Sequence, residues 1–453
     1  MSVEDRRVGA SRPRWSGDRA GHIQGYASAT SVGHGEVIDF HVSVHRPQGY
    51  RIEIFRIGYY GGHGARLRAV SERLQGRTRA IPTAHPTTGL IACRWPVSWS
   101  LRIPSDWMSG LYLAVLTSDE GYSSRVPFVV REPQRPSDIL CVLPFTTYQA
   151  YNMWPKDGRT GKNLYRGYAA RNKIGGADER AYKVSFDRPY TKAGSPNWLE
   201  LDTSFIRWAE QAGRDVTYAS SLDLEQGTVD TTRYRAIFFP GHDEYWSKPM
   251  LDSAHKAVAA GTHLAFLASN NVYFHVRMEP SAAGRDNRVM ACYKSAPDPA
   301  PDASGRTARW RELGPDRRQA EQSLLGIQFN GIVAAPAPLV VKEADHWLWA
   351  GTGLRDGDTL PGMVGVEADS YDPTAPSPPG ARRTLLAESP YVDNRPGLLL
   401  PPLQHTALTE YPNGAMVFVA GTFHWALALA DKDYLNRHVQ KATANLVDRM
   451  LRR

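Results

Sequence analysis

The hydrophobic period of the chain changes at "REPQRPSD" (residues 131–138), and no other feature constrains the fold more. Before it, from about residue 22 to 132, apolar and polar residues alternate. "IDFHVSVHR" sets Phe40, Val42 and Val44 on one face. "WPVSWSLRI" does the same with Trp95, Val97, Trp99, Leu101 and Ile103. "GLYLAVLTSD" alternates Leu111, Leu113 and Val115 with Tyr112, Ala114 and Leu116, and "SRVPFVVRE" closes the set. Period-two runs between turn residues predict half-buried antiparallel strands. Several of them in about 110 residues predict a β-sandwich.

After the linker, over residues 133–453, short apolar runs alternate with amphipathic helices. The runs are "DILCVLPF" (138–145), "DVTYASSLDL", "YRAIFFPGH", "THLAFLASNN" and "AMVFVAGTFHW". "WLELDTSFIRWAEQAG" puts Leu201, Phe205 and Trp208 on one helical face, with Gly213 as a stop. "KPMLDSAHKAVAAG" is a second helix, and the last places Val439, Ala442, Leu446 and Met450 together. The alternation predicts βαβ units and a mainly parallel α/β sheet. Pro-rich stretches at 295–305 and 370–383 read as long surface loops inside it, and residues 1–21 as a flexible tail.

Composition narrows the classes. At 42% hydrophobic, 453 residues support two or three packed cores. No apolar run reaches the ~20 residues of a membrane span, and the polar, Arg-rich start shows no secretory leader. Three scattered cysteines, Cys93, Cys141 and Cys292, without a CxxC pair argue against a disulfide framework and point to the cytoplasm. The net charge of +8 is spread along the chain, with no basic helix or aromatic-basic motif, so no nucleic-acid partner is expected.

In an open α/β sheet, ligands bind at the carboxyl ends of the strands. After 138–145 come Tyr148, Tyr151 and Asn152. After "YRAIFFPG" come His242, Asp243, Glu244 and Tyr245. After "THLAFLAS" come Asn270 and Asn271, and after "AMVFVAGT" come His424 and Trp425. Each has a structural role open to it as well. Asp243 or Ser247 suits a helix cap, and His242 or His424 a hydrogen-bonded interior histidine. Asn270 suits a turn, and Tyr148 and Tyr151 suit ring packing. No Cys stands at any of these corners, and G-x-S-x-G, HExxH and Cys/His zinc patterns are missing. What remains is oxygen donors and one or two His. That set suits a hard, oxygen-preferring metal, or a site that only binds.

Several stretches together carry a family resemblance: "FRIGYYGG" (55–62), "TTYQAYN" (146–152), "VSFDRPY" (184–190), "PGHDEYWS" (240–247), "SNNVYFHVR" (269–277), "MACYKS" (290–295), "EQSLLGIQFNG" (321–331) and "GMVGVEAD" (362–369). In this order, from about residue 50 to 425, the chain resembles the N,N-dimethylformamidase large-subunit family. The resemblance implies a class I amidotransferase-like, flavodoxin-like catalytic domain without its nucleophilic Cys. It also implies hydrolysis of a small amide to amine and formate by a mononuclear iron held by two tyrosines and a glutamate. Carried over by motif, the ligands are Glu244, Tyr151 and Tyr190, with Tyr148 and Tyr165 as rivals for the tyrosine positions. His242 matches a histidine behind the metal, Asn270 a pocket amide, and Glu367 a further acidic pocket residue. The implied chemistry is coherent. A phenol near pKa 10 binds as phenolate only beside a strong Lewis acid, and three anionic ligands suit Fe(III). Glu367 or His242 would move the proton, and Asn270 would donate to the developing oxyanion.

The chain is shorter than the family's large subunits, and no equivalent of a separate small subunit is evident in it. Homo-oligomerisation stays open. Phe274 and His275 stand where relatives often carry Trp, so a larger N-formyl or N-alkyl amide is as fitting a substrate as dimethylformamide. Two other readings stay open. "RIGYYGGHG" (56–64) offers either exposed aromatics for carbohydrate binding or a tight hairpin with interior tyrosines. Glu244 with Glu367 could serve a glycosidic bond as acid and base.

Overall fold

The computed structural model describes residues 21–314, 319–395 and 400–452. All but the last residue of the expected tail lies outside the described residues.

The N-terminal strands form two sheets. Ile23–Ala27, Val37–Val44 and Trp99–Arg102 make one, antiparallel throughout. The other runs Ser31–Gly33, Ser123–Arg131, Gly110–Ser118, Gln48–Ile57 and Ala65–Val70, with Leu74–Gly76 also paired to Gln48–Ile57. Phe40, Val42 and Val44 of the first pack in one core with Ile52, Ile54, Tyr112, Ala114 and Phe128 of the second. The pair is sandwich-like, with one parallel pairing, Ser31–Gly33 against Ser123–Arg131.

Two sequence expectations change here. Only Trp99–Arg102 of "WPVSWSLRI" is a strand. Residues 77–98 have no helix or strand and reach across to the C-terminal part, where Cys93 N–H donates to the Asp187 carbonyl at 2.7 Å. Val97, expected to face inward, is exposed. Gly110–Ser118 is buried on both faces, not one. Tyr112, Ala114 and Leu116 fill the sandwich, while Leu111, Leu113 and Val115 join the core of the C-terminal part. Both sets are apolar because both faces are covered.

The C-terminal part is organised on seven strands: β1 (Ile139–Leu143), β2 (Val216–Ser220), β3 (Ala236–Phe239), β4 (His263–Phe266), β5 (Arg382–Pro390), β6 (Leu403–Glu410) and β7 (Met416–Val419). Their order is β2-β1-β3-β4-β7-β6-β5. The first five are parallel, and β6 and β5 add an antiparallel edge. Three helices cover the faces: α1 (Leu199–Gln211), α2 (Lys248–Ala259) and α3 (Arg437–Met450). Phe205 of α1 and Leu446 of α3 share a core with Cys141 and Phe238, whereas Met250 and Ala254 of α2 pack with Leu140, Ile237 and Leu264. Alternate strand residues thus face opposite helix layers, which is why these strands read as unbroken apolar runs. Ser247, not Asp243, caps α2, accepting from Met250 N–H at 3.3 Å.

The chain leaves β1 toward β2 on one side and reaches β3 on the other. That makes the carboxyl ends of β1 and β3 the switch point of the sheet, the place where ligands bind in open α/β sheets. The sandwich is fixed to this layer by Arg56, which donates to both Glu210 oxygens of α1 at 2.7 and 3.2 Å and to Tyr60 at 3.0 Å. Tyr60 of "RIGYYGG" is therefore buried at the joint and gives no sugar platform. Among the described residues no helix is long and apolar enough to cross a membrane.

Candidate active site

Glu244 follows β3 through the Pro240–Gly241 turn. Gly241 is required by close approach, since a Cβ there would lie 2.6 Å from both Asp202 oxygens. The N–H groups of Glu244 and Tyr245 both donate to Thr147 Oγ1, at 3.0 and 3.2 Å. Thr147 belongs to the short helix Phe145–Ala150 that follows β1, so one hydroxyl ties the two corners of the switch point together. Tyr151 comes directly after this helix, and its hydroxyl donates to Glu244 Oε2 at 2.5 Å.

Tyr165 completes the cluster. Its hydroxyl lies 2.7 Å from that of Tyr151 and donates to Glu244 Oε1 and Oε2 at 2.6 and 2.8 Å. Asn163 holds it there. The Asn163 amide donates to the Tyr151 carbonyl at 3.0 Å, and its oxygen accepts from Tyr165 N–H at 2.9 Å. The two rings stack with centroids 4.5 Å apart.

Of the expected ligand pair, the structure brings Tyr151 to Glu244 but not Tyr190. Asn152 donates to the Pro189 carbonyl at 2.9 Å. The chain then carries Tyr190 away, into a crevice it lines with Gln24, Trp154 and Gly194 against the sandwich. Tyr148 is also elsewhere, donating to buried Asp202. The rival Tyr165 takes the place beside Glu244.

His242 lies behind the cluster. Its Nδ1–H donates to the Ser269 carbonyl at 3.2 Å, which leaves Nε2 facing Glu244 Oε2 at 3.2 Å and Glu367 Oε2 at 3.8 Å. Asn270 adopts the left-handed conformation, φ 56, after β4. Its N–H donates to Asp369 at 2.7 Å, and its side-chain oxygen is buried without a protein partner. His242, Asn270 and Glu367 are thus brought together with Glu244. His424, another candidate from a strand end, donates from Nδ1 to the Gly362 carbonyl at 2.6 Å and sits beneath the segment that carries Glu367.

Burial dominates the electrostatics. It pushes the Tyr151 and Tyr165 phenols well above their usual range, with the Glu244 carboxylate pushing the same way. Burial would also raise Glu244, but the hydrogen bond from His242 and the charges of His242 and Lys294 outweigh it and hold Glu244 below the usual range. Glu367 has weaker support, and burial raises it to about 7.

Lys294, in "MACYKS", is a site residue to which the sequence pattern assigns no role. Lys294 follows the strand Val289–Ala291. Its ammonium stands 3.4 Å from the centroid of the Tyr165 ring and 4.3 Å from that of Phe274. Burial lowers it to about 8, so it stays largely charged at neutral pH. A cation on the face of an aromatic ring stabilises negative charge there. The only signal for it was a lysine directly after an apolar strand. Trp198 meets the Tyr151 and His242 rings edge-on, with centroids 4.5 and 5.1 Å away, and Phe423 lies 4.6 Å from His242. They wall the cluster with apolar surface.

Two phenols and a carboxylate, converging and buried, fit a hard cation. They hold protons that such an ion would displace, and the carboxylate is already held in its charged form. Cys141, Cys93 and Cys292 are buried free thiols, and burial pushes Cys141 well above its usual range.

Residues 51–440 match the family model described as N,N-dimethylformamidase beta subunit-like, C-terminal. The N,N-dimethylformamidase beta subunit of Alcaligenes sp is 23% identical over 424 residues, covering 80% of this chain and 55% of its own length. That of Paracoccus aminophilus is 22% identical over 423 residues, with the same coverage. The chain therefore spans about half the length of these relatives. A solved Paenibacillus cycloisomaltooligosaccharide glucanotransferase overlaps at 8% identity and a TM-score of 0.17, covering 60% of this chain and 33% of that one. That likeness is too slight to bear on the fold.

Proposed function

The chain belongs to the N,N-dimethylformamidase beta subunit-like family, and from that premise we propose that it hydrolyses a small N-substituted amide, dimethylformamide or another N-formyl or N-alkyl amide. The observation that carries the proposal is the buried convergence of the Tyr151, Tyr165 and Glu244 oxygens, with His242 behind them. We assign these three as the residues that would hold a mononuclear ferric ion. Such an ion supplies a Lewis acid that polarises the amide carbonyl and acidifies water.

The chain's own residues do the rest. Asn270, fixed by Asp369, donates to the carbonyl oxygen as charge develops on it. Glu367 lies near its neutral-pH midpoint, and burial keeps it there. It takes a proton from the attacking water and returns it to the leaving nitrogen. His242, with Nδ1–H committed to Ser269, presents Nε2 to both carboxylates and keeps that proton inside the site. Trp198 and Phe423 exclude bulk water and receive the N-alkyl groups. Lys294 offsets part of the negative charge of the ligand set from the face of Tyr165.

The sheet order of the C-terminal part supports the class I amidotransferase-like scaffold that the resemblance implies. Both relatives are named as a subunit, so the proposal includes assembly with a second chain, read from the native mass. The functional test is release of formate and amine from a panel of N-formyl and N-alkyl amides. Wild type should turn over at least one, and Glu244→Ala none. Equal turnover by Glu244→Ala would overturn the assignment.

A further inference from the structure

Glu367 is delivered by a backbone conformation that side chains rarely adopt. Val366, the residue before it, has φ 68. The Glu367 N–H donates back to the Gly365 carbonyl, two residues away, at 3.0 Å. A bond of that span closes a γ-turn, and positive φ at its centre makes it the rare, strained form. A β-branched residue there is the worst case. Such strain persists only where the surroundings over-determine it, and it collects at functional sites.

The surroundings here are specific, and most come from the segment after β7. Thr422 Oγ1 accepts from Gly365 N–H at 3.0 Å and donates to the Met363 carbonyl at 3.1 Å. The His424 ring lies so close to Gly365 that a Cβ there would be 2.0 Å from His424 Cε1. The same ring donates to the Gly362 carbonyl. Asp369 N–H donates to the Gly421 carbonyl at 3.1 Å, and Val333 N–H to the Val366 carbonyl at 3.0 Å. From the other side of the site, Ser269 Oγ donates to the Glu367 carbonyl at 2.8 Å. The Thr422 and His424 side chains bond to the backbone of Gly362, Met363 and Gly365, away from the Tyr151, Tyr165 and Glu244 hydroxyls and carboxylate. They act on the strained turn.

We propose that Thr422 and His424 are positioning residues for Glu367. They hold residues 362–367 in the strained turn so that the Glu367 carboxylate faces His242. This rests on the reading of Glu367 as the proton-transferring carboxylate. The turn stores strain that a looser segment would release by swinging the carboxylate away.

The test combines a structure with a mutant cycle. In Thr422→Val, which keeps shape and loses both hydrogen bonds, the crystal structure should show the Glu367 carboxylate displaced from His242. On whichever amide wild type hydrolyses, kcat should fall on the order of 100-fold, as for a misplacement of about 1 Å, with KM nearly unchanged. Thr422→Ser should restore it. Added to Glu367→Gln, Thr422→Val should cost nothing further. Val366→Gly removes the steric cost of the positive φ, so it should keep kcat near wild type and soften the loss caused by Thr422→Val. An undisplaced carboxylate, or a full additional loss in the Glu367→Gln background, overturns the positioning role. A displaced carboxylate with Glu367→Gln fully active upholds it and overturns instead the catalytic reading of Glu367.

Discussion

The Tyr165 hydroxyl donates to both oxygens of Glu244, at 2.6 and 2.8 Å, across 79 residues of chain. Among the described residues no other tyrosine does this. Tyr151 reaches one of the two oxygens, and Tyr190 lines a separate crevice. Tyr165→Phe should therefore lower iron affinity by more than the ~10–100-fold typical of losing an outer partner. Tyr190→Phe should leave it within a few-fold. Titration of the metal-free proteins with ferric ion, followed in the visible, checks both.

Asn270 is held by its backbone bond to Asp369, and its side-chain amide donates to the Glu367 carboxylate, which sets it beside the proposed substrate carbonyl. Asn270→Ala should lower kcat by roughly 100- to 1000-fold, the cost of one oxyanion donor, with little change in KM. A loss confined to KM would assign Asn270 to ground-state binding instead.

Burial raises Asp369 to about 8 and Glu367 to about 7. In the folded chain both carboxyls keep a proton that the unfolded chain has released by about pH 4. The folded state therefore binds more protons over that window. Their contribution is fully present below about pH 4 and is lost as pH rises through about 8. The limiting slope is about 1.4 kcal/mol per pH unit for each group. Asp369→Asn is neutral at every pH, so between about pH 5 and about pH 9 the Tm of the metal-free variant should fall less than that of wild type. Equal falls would contradict this.

Arg56 and Glu210 join the sandwich to α1, and their side chains are only 3% and 5% exposed. Removing one partner of such a pair costs about 3–5 kcal/mol, whereas replacing both with apolar groups is often near neutral. Arg56→Met should lower Tm sharply, and the double variant with Glu210→Met should recover most of it. Calorimetry on the two variants decides.

How much of this was legible in the sequence follows from local regularity. His242, Glu244 and Asn270 could be found because each follows an apolar run whose end is visible in the pattern. Tyr165 could not be separated from Tyr190, because residues 152–190 lack a period that would aim a side chain. The Asn163 turn that places Tyr165 is set by its bond to the distant Tyr151 carbonyl. The strand read over "WPVSWSLRI" failed for a related reason: alternation was present, but residues 77–98 bond only at scattered points to Val37–Val44, as Ser98 N–H does to the Phe40 carbonyl, and also reach the C-terminal part through Cys93, so no regular ladder forms. Lys294 and the strained turn at Val366 are tertiary features. Nothing in a lysine or a valine announces a ring beneath it or a φ of 68.

The central claim is that Tyr151, Tyr165 and Glu244 form one iron site, and elemental analysis with a visible spectrum on the purified protein tests it most directly. The account predicts close to one iron per chain and a phenolate-to-iron absorption band that Glu244→Ala abolishes along with the iron. A colourless, metal-free protein that hydrolyses amides at full rate would contradict it.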